Sequence, residues 1–161
     1  MLADVDGVLT DGRLQFDNHG IESKQFHIRD GLGIRLWQRA GHKFGIVTGR
    51  KSEIVERRAA ELDVDIVRQG DDDKLGQTEQ IARELGVELE AICYIGDDLP
   101  DLPVIRAVGL GVAVQDAAAE VRAAANHVTR TAGGQGALRE IIETILRSTG
   151  RWDDIVSRYV T

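Results

Sequence analysis

The chain has 161 residues, of which 42% are hydrophobic and 29% are charged, and its formal net charge is −7. This composition predicts one globular domain with its own core, and the acidic balance argues against a surface that follows the phosphates of a nucleic acid. No apolar stretch approaches the ~20 residues of a membrane span, no signal peptide is recognisable, and the single cysteine, Cys93, cannot form an internal disulfide, so we expect a cytoplasmic protein without membrane partners.

Two aspartates, Asp4 and Asp6, follow the short apolar run at the start of the chain, and a glycine follows them. We interpret them as the end of a first strand opening into a loop. Carboxylates this close repel each other and lose hydration unless a cation compensates, so the pattern favours a cation site with catalytic carboxylates over a solvated acidic turn. Only three residues precede Asp4, and we expect either a misplaced or shortened start, or a sheet that tolerates a very short strand.

A β-hairpin is predicted directly after the aspartate loop. Two extended runs, Arg13 to Asp17 and Ile21 to Ile28, flank the turn sequence Asn18-His19-Gly20. A freestanding hairpin is marginally stable in water, so we expect this insertion (about residues 13–28) to pack on something else, such as another subunit.

From residue 30 onward, short apolar runs alternate with amphipathic stretches, as in βαβ units. The predicted strands are Phe44 to Val47, Val64 to Val67, Ala91 to Ile95 and Val108 to Val114. The helical stripes are Ile54, Val55, Ala59 and Leu62; Leu75, Thr78, Ile81, Ala82 and Leu85; and Leu138, Ile141, Ile142, Ile145 and Leu146. The prediction is therefore a doubly wound, mainly parallel α/β sheet of Rossmann type in one domain over residues 1–161, in which Gly150 to Thr161 forms a short helix or a docking tail.

Polar residues follow the later predicted strands as well. Thr48, Gly49 and Arg50 open a helix and suit an oxyanion, although Thr48 alone could be a helix cap. Lys74 lies near the start of the next helix, where an ordinary lysine would be solvated. After Ala91 to Ile95 come Gly96, Asp97, Asp98 and Asp101. Ligands bind at the carboxyl ends of strands in open α/β sheets, so these side chains are functional candidates.

One arginine stands out from helical periodicity alone. Arg58 falls on the same helical face as Ile54 and Leu62 and interrupts their apolar stripe. A guanidinium in that position needs a carboxylate or a ligand anion, unless the side chain reaches out to solvent.

The order of these motifs resembles the haloacid dehalogenase (HAD) superfamily of phosphotransferases, and more closely the 3-deoxy-D-manno-octulosonate 8-phosphate (KDO 8-phosphate) phosphatases. The motifs that carry the resemblance are Asp4-Val5-Asp6-Gly7-Val8-Leu9-Thr10-Asp11-Gly12, Arg29-Asp30-Gly31-Leu32-Gly33-Ile34-Arg35, Thr48-Gly49-Arg50-Lys51, Gly96-Asp97-Asp98-Leu99-Pro100-Asp101 and Ala132-Gly133-Gly134-Gln135-Gly136-Ala137.

The resemblance implies a role for each strand-end residue. Asp4 is the expected nucleophile, Asp6 the general acid and base, and Thr48 and Lys74 hold the transferring phosphoryl group. Mg²⁺ is the expected cofactor, bound by Asp4, by the backbone carbonyl of Asp6 and by Asp97. Asp98 and Asp101 are expected to orient the metal and Lys74.

The resemblance also implies how the substrate is bound. Neither interval between the motifs holds a cap domain, so we expect a capless enzyme. Its site would be closed by a neighbouring subunit in a homotetramer with hairpin contacts, with the tail, including Trp152 and Tyr159, as a second candidate lid. The expected substrate-binding residues are Asp6, His27, Ile28, Arg29, Asp30, Gly31, Arg35, Arg50, Arg58 and Lys74.

The function expected from the resemblance is Mg²⁺-dependent hydrolysis of KDO 8-phosphate to KDO and phosphate through an aspartyl-phosphate intermediate. One alternative is a capless phosphatase for another acidic sugar phosphate, such as a nonulosonate 9-phosphate. Another is a phospho-accepting signalling domain of the receiver type, although a receiver carries its acceptor aspartate after a later strand.

Overall fold

A computed structural model describes residues 1–160, and its centre is a six-stranded parallel sheet. The strands of this sheet are β1 (Leu2–Ala3), β4 (Gly45–Thr48), β5 (Ile66–Gln69), β6 (Cys93–Gly96), β7 (Leu110–Ala113) and β8 (His127–Val128), and a separate hairpin is formed by β2 (Gln15–Phe16) and β3 (Glu22–Ser23). The strand order across the sheet is β5-β4-β1-β6-β7-β8. The doubly wound α/β fold that the sequence predicts is confirmed.

The helices lie between these strands. They are α1 (Ile28–Arg39), α2 (Glu53–Glu61), α3 (Lys74–Leu85), α4 (Leu102–Ala107), α5 (Ala119–Ala124), α6 (Ala137–Ser148) and α7 (Trp152–Ser157), with short 3₁₀ turns at Leu89–Ala91 and Leu99–Asp101. Helix α1 packs against α6, and α4 packs against α3 and α5. Because the chain first winds from β1 towards β5 and then returns to β6, right-handed crossovers place these two helix groups on opposite faces of the sheet.

The reversal of winding occurs at β1, which lies between β4 and β6. Leu2 pairs with Gly45 and Tyr94, and Ala3 pairs with Ile46 and Ile95. Backbone bonds from Asp4 N to the Ile95 oxygen (3.0 Å) and from Gly45 N to the Met1 oxygen (3.0 Å) extend both ladders. A strand of two residues is therefore held on both sides, and a crevice opens at its carboxyl end, where open α/β sheets bind ligands.

The inserted hairpin is shorter than the sequence predicts. Its strands pair Gln15 with Ser23 and Phe16 with Glu22, and the side chain of Asp17 closes the turn by accepting bonds from the amides of His19 (2.8 Å) and Ile21 (2.9 Å). The predicted run to Ile28 is wrong beyond Ser23. The chain turns into α1 instead, where the His27 side chain caps the helix by accepting from Arg29 N.

Three further segments complete the comparison with the prediction. Helix α1 begins at Ile28, so Arg29, Asp30 and Gly31 lie inside its first turn. The segment containing α5 and β8 was not predicted as a helix and a strand. The terminal segment does contain a short helix, α7, while Thr161 lies outside the described residues.

The core fills both faces of the sheet. Ala3, Tyr94, Ile95 and Val112 are fully buried in its central strands. The stripe of α6 that includes Leu138 and Ile142 is buried against it. None of the helices within residues 1–160 is long and apolar enough to cross a membrane.

Candidate active site

Asp4 and Asp6 lie at the carboxyl end of β1, on either side of the buried Val5. The Val5 carbonyl accepts the amides of Val8 (3.2 Å), Leu9 (2.9 Å) and Thr10 (3.0 Å), which folds the chain into a tight loop. Asp4 is only 6% exposed, and its Oδ2 lies 3.1 Å from Lys74 Nζ. The loop therefore keeps one carboxylate against a buried cation at the crevice.

The backbone of the tight loop after β1 packs directly against the backbone of a glycine segment, where side chains would not fit. A Cβ on Gly133 would collide with the carbonyl oxygen of Gly7, and one on Gly134 would collide with the backbone of Thr10. The amide of Gly134 donates to the Val8 carbonyl (2.9 Å). The Gly133-Gly134 pair in the chain thus supports the aspartate loop through its backbone.

Lys74 is held in place by Asp101. Lys74 Nζ donates to Asp101 Oδ1 (2.6 Å), and the hydroxyl of Tyr94 donates to the same oxygen (2.6 Å). The other oxygen, Oδ2, accepts the amides of Asp97 (2.9 Å) and Asp98 (3.2 Å). Burial alone would lower the pKa of Lys74, but the carboxylates of Asp4 and Asp101 raise it above its ordinary value, so the ammonium stays charged.

The carboxylate oxygens of Asp4, Asp97 and Asp101 come within 4.8 Å of one another, which is compatible with a metal ion. Both oxygens of Asp101 are already engaged by two donors each. Within residues 1–160, by contrast, Asp4 Oδ1 and Asp97 Oδ1 are buried without a hydrogen-bond partner. Such atoms need a compensating cation, so Asp4 and Asp97 fit a hard divalent ion, whereas Asp101 serves Lys74.

The acidities of these two groups agree with a cation site. Burial, together with the Asp101 carboxylate, raises the pKa of Asp4 to about 6. Burial and the carboxylates of Asp4 and Asp101 raise the pKa of Asp97 to about 8. A divalent cation would favour the ionised forms, and its binding would release protons.

Asp6 is paired with the hairpin, a contact that sequence analysis missed. Lys24 Nζ donates to Asp6 Oδ1, and Arg50 Nη1 lies 3.8 Å from Asp6 Oδ2. Glu22 Oε1 contacts both cations, Lys24 at 3.3 Å and Arg50 at 2.9 Å. The sequence did contain one indication of this contact. Glu22 and Lys24 are two residues apart in an extended segment, and alternate residues of a strand lie on the same face, so their side chains can pair and face the aspartate loop together.

Thr48 is the other strand-end residue predicted to hold phosphate. It is buried at the end of β4, and its carbonyl accepts the amide of Gly70 (3.1 Å). Strands β1 and β4 are neighbours with parallel register, so Thr48 belongs to the same edge of the sheet as Asp4.

Several residues predicted to bind substrate make contacts within the chain. Arg58 bonds Glu61 Oε2 (2.7 Å) and lies over the ring of Phe26, and Arg35 donates to the Glu61 carbonyl (2.5 Å). Gly31 packs directly against Arg58. These contacts do not include Asp4 or Asp6, and a role in substrate binding stays a prediction.

Asp30 and its neighbours begin α1. Asp30 is buried, and its Oδ1 accepts the amide of Arg139 (2.8 Å) in the first turn of α6. Burial raises the pKa of Asp30 to about 6. His27 caps α1, while Ile28 and Arg29 are exposed. Asp30 thus joins two helices, and the exposed pair is free to meet a partner or a ligand.

Comparison with known proteins gives consistent matches. Residues 63–141 match the model of the haloacid dehalogenase-like hydrolases. The 3-deoxy-D-manno-octulosonate 8-phosphate phosphatase KdsC of Escherichia coli K12 is 42% identical over 154 residues, which cover 96% of this chain and 82% of that protein.

Solved structures agree closely as well. A probable YrbI family phosphatase from Pseudomonas syringae pv. phaseolica 1448a superposes with a TM-score of 0.98 at 48% identity, covering 99% of this chain and 91% of that one. The 3-deoxy-D-manno-octulosonate 8-phosphate phosphatase of Moraxella catarrhalis, solved with magnesium, phosphate and KDO, has a TM-score of 0.96 at 40% identity, covering 98% and 91%.

Proposed function

Because this chain belongs to the KDO 8-phosphate phosphatases of the haloacid dehalogenase-like hydrolases, we propose that it hydrolyses KDO 8-phosphate to KDO and phosphate with Mg²⁺. The observation that carries the proposal is the pair of unpartnered, buried oxygens of Asp4 and Asp97 beside the Lys74 ammonium. This arrangement supplies a nucleophile, a cation site and a phosphate-binding cation at one strand end.

The first half of the reaction uses both carboxylates of the loop. Asp4 attacks phosphorus, the bond from phosphorus to the sugar oxygen breaks, and Asp6 gives a proton to that leaving oxygen. Lys74 and Thr48 hold the phosphoryl oxygens during the transfer. Mg²⁺, held by Asp4, Asp97 and the backbone carbonyl of Asp6, would neutralise phosphoryl charge that otherwise repels the nucleophile.

The second half returns the enzyme to its starting state. Asp6, now ionised, takes a proton from a water molecule, and the resulting hydroxide attacks phosphorus of the aspartyl phosphate. The bond between Asp4 and phosphorus breaks, phosphate leaves, and the Asp4 carboxylate is restored. The hydrogen bonds from Lys74 and Tyr94 to Asp101 support a role for Asp101 in fixing Lys74 throughout.

The homotetramer and the cytoplasmic location are predictions from the sequence, and we keep them as part of the proposal. A homotetramer with hairpin contacts is supported by the exposed apolar side chains of Leu14, Phe16 and Ile21 on the hairpin. Such an assembly would close a site that lacks a cap domain. The cytoplasmic location stays a prediction.

Phosphate release from a panel of acidic sugar phosphates tests the function. We expect turnover of KDO 8-phosphate that requires Mg²⁺ and is abolished by a chelator, and little turnover of nonulosonate 9-phosphates. Turnover of the nine-carbon acids alone would contradict the proposal and favour the second substrate class.

Asp4→Asn is the matched catalytic variant for this assay. It keeps the side-chain shape and removes the nucleophile, so we expect loss of hydrolysis with an unchanged circular dichroism spectrum. Full activity in Asp4→Asn would exclude the assigned nucleophile.

A further inference from the structure

Lys24 is the one lysine of the inserted hairpin, and its side chain is only 2% exposed. A lysine is rarely buried unless its charge is paired, since removing an ammonium from water costs several kcal/mol. Here the ammonium donates to Oδ1 of Asp6. The hairpin therefore places the buried Lys24 ammonium against the loop that follows β1.

The surrounding charges balance within four side chains. Asp6 and Glu22 supply two carboxylates, and Lys24 and Arg50 supply two cations. Glu22 Oε1 lies 3.3 Å from Lys24 Nζ and 2.9 Å from Arg50 Nη2, so it holds both cations beside Asp6. The cluster connects the hairpin, the aspartate loop and the end of β4.

A purely structural role does not explain why the cluster includes Asp6. The ion pair between Glu22 and Arg50 already connects the hairpin to the end of β4. Adding a buried ion pair contributes little net stability, because desolvation offsets the attraction. The bond from Lys24 does, however, fix the orientation of the Asp6 carboxylate.

The two loop aspartates are matched by two lysines. Lys74 contacts Asp4 Oδ2, and Lys24 contacts Asp6 Oδ1. Lys24 occupies Oδ1 of Asp6, whereas Arg50 Nη1 lies 3.8 Å from Oδ2, beyond hydrogen-bond distance. Oδ2 is therefore the atom available to exchange a proton with the leaving group or water. Catalytic groups must be held to within about 0.5 Å to work at full rate.

We propose that Lys24, held by Glu22, is a positioning residue that orients the Asp6 carboxylate for proton transfer to the leaving sugar oxygen. The inference rests on the proposed function, because it assigns Lys24 a part in the same phosphoryl transfer. With this role, the hairpin would affect the rate of phosphoryl transfer, in addition to any role in contacts between subunits.

Leaving-group dependence tests this role directly. A sugar alkoxide is a strong base and needs the proton of Asp6 to leave, whereas p-nitrophenolate leaves without one. In Lys24→Met we expect kcat/KM for KDO 8-phosphate to fall by at least ~10-fold, as part of the ~100-fold or larger contribution of a general acid. The kcat/KM for p-nitrophenyl phosphate should stay within about 2-fold of the unmodified enzyme, because kcat/KM reports the steps up to departure of the leaving group, which needs no general acid here, and does not include the later activation of water by Asp6.

Lys43→Met is the matched control, since Lys43 is exposed at the opposite end of β4. It should leave both rates unchanged. Glu22→Gln provides a second variant in case Lys24→Met does not fold, and it should show the same selective loss to a smaller degree. Folding is checked by circular dichroism and by the elution volume of each protein.

An equal loss on both substrates, or no loss on either, would overturn the proposal. The first result would mean that Lys24 acts on the phosphoryl group or only on the fold, and the second that Asp6 needs no partner. If the unmodified enzyme hydrolyses another sugar phosphate instead of KDO 8-phosphate, the proposed substrate fails, but the same comparison can be run with that alkyl phosphate.

Discussion

At the residue scale, the site is a group of carboxylates that differ in their hydrogen-bond partners. Asp101 is saturated by four donors, whereas Asp4 and Asp97 each keep one buried oxygen without a partner among residues 1–160. Residue type alone would have made all three equal candidates for the metal. The donors that reach each oxygen divide them into two candidate metal ligands and one support for Lys74.

Tyr94 is the residue of the site that was least expected from the sequence. It is fully buried in β6, and burial together with the Asp101 carboxylate raises its pKa well above the ordinary value, so the hydroxyl remains a donor. Nothing in an apolar strand sequence marks this tyrosine as functional. Its importance depends on the α4 side of the sheet, where Asp101 Oδ1 accepts the hydrogen bond of the hydroxyl.

Removing the Tyr94 hydroxyl tests this support. Tyr94→Phe keeps the ring in the core but leaves Asp101 Oδ1 with Lys74 alone. We expect kcat to fall several-fold as Lys74 loses its fixed position, and the free energy of unfolding to fall by about 1–2 kcal/mol. Steady-state kinetics and urea denaturation measure the two effects.

Thr144→Val is the control, because Thr144 is exposed on α6 and its hydroxyl donates only to the Glu140 carbonyl of the same helix. It should change neither quantity. An unchanged kcat in Tyr94→Phe would mean that Asp101 and the backbone hold Lys74 without help.

At the element scale, the helices and strands follow from apolar periodicity, and their ends follow from local capping. The buried runs and the stripes of α2, α3 and α6 correspond to observed elements. The second hairpin strand was predicted too long because Ile21 to Ile28 has extended character throughout, while the cap at His27 starts a helix. The segment of α5 and β8 is rich in alanine, which gave no clear period.

The contact between α1 and α6 could not be predicted from the local sequence pattern of either helix. Helix α6 begins after Gly136, which has no side chain to cap it, and the Asp30 carboxylate accepts the Arg139 amide instead. A carboxylate from another helix thereby satisfies one of the free amides of a helix N-terminus.

The acidity of Asp30 predicts a pH effect on stability. Burial raises its pKa from 3.8 to about 6 in the folded chain, so the folded state binds the proton more tightly than the unfolded state. The stability from this group is fully present below about pH 4 and is lost as the pH rises through 6. The shift of about 2 units sets an upper limit of about 3 kcal/mol.

Asp30→Asn removes this titration. The difference in unfolding free energy between the unmodified chain and Asp30→Asn should therefore move in favour of the variant between pH 4 and 7. Urea denaturation at several pH values measures it, with the exposed Asp65→Asn as the control. A difference that stays constant with pH would show that burial does not set the acidity of Asp30.

At the scale of the whole molecule, the active edge is open and the hairpin carries apolar surface. Leu14 is 56% exposed and Phe16 is 55% exposed, beside the cluster that ties the hairpin to Asp6. Exposed apolar patches of this kind mark interaction surfaces. In the proposed tetramer they would lie between subunits and bring a neighbour close to the site.

A charge on this surface should break the assembly. We expect Leu14→Glu to lower the molar mass measured by light scattering from a tetramer to a smaller species, and to lower kcat/KM for the sugar phosphate. Leu85→Glu, an exposed leucine at the end of α3, should keep the assembly. A tetramer that persists in Leu14→Glu would place the contacts elsewhere.

The sequence by itself determined the α/β architecture, the family and the strand-end residues, because apolar periodicity and short motifs are local properties of a chain. Tertiary structure alone decided which partner each of those residues has. It joined Lys24 to Asp6, Tyr94 to Asp101 and Asp30 to α6, because contacts between distant segments depend on how the sheet is wound. The aspartate pair was recognisable from its spacing, but the separate environments of its two carboxylates exist only in the folded chain.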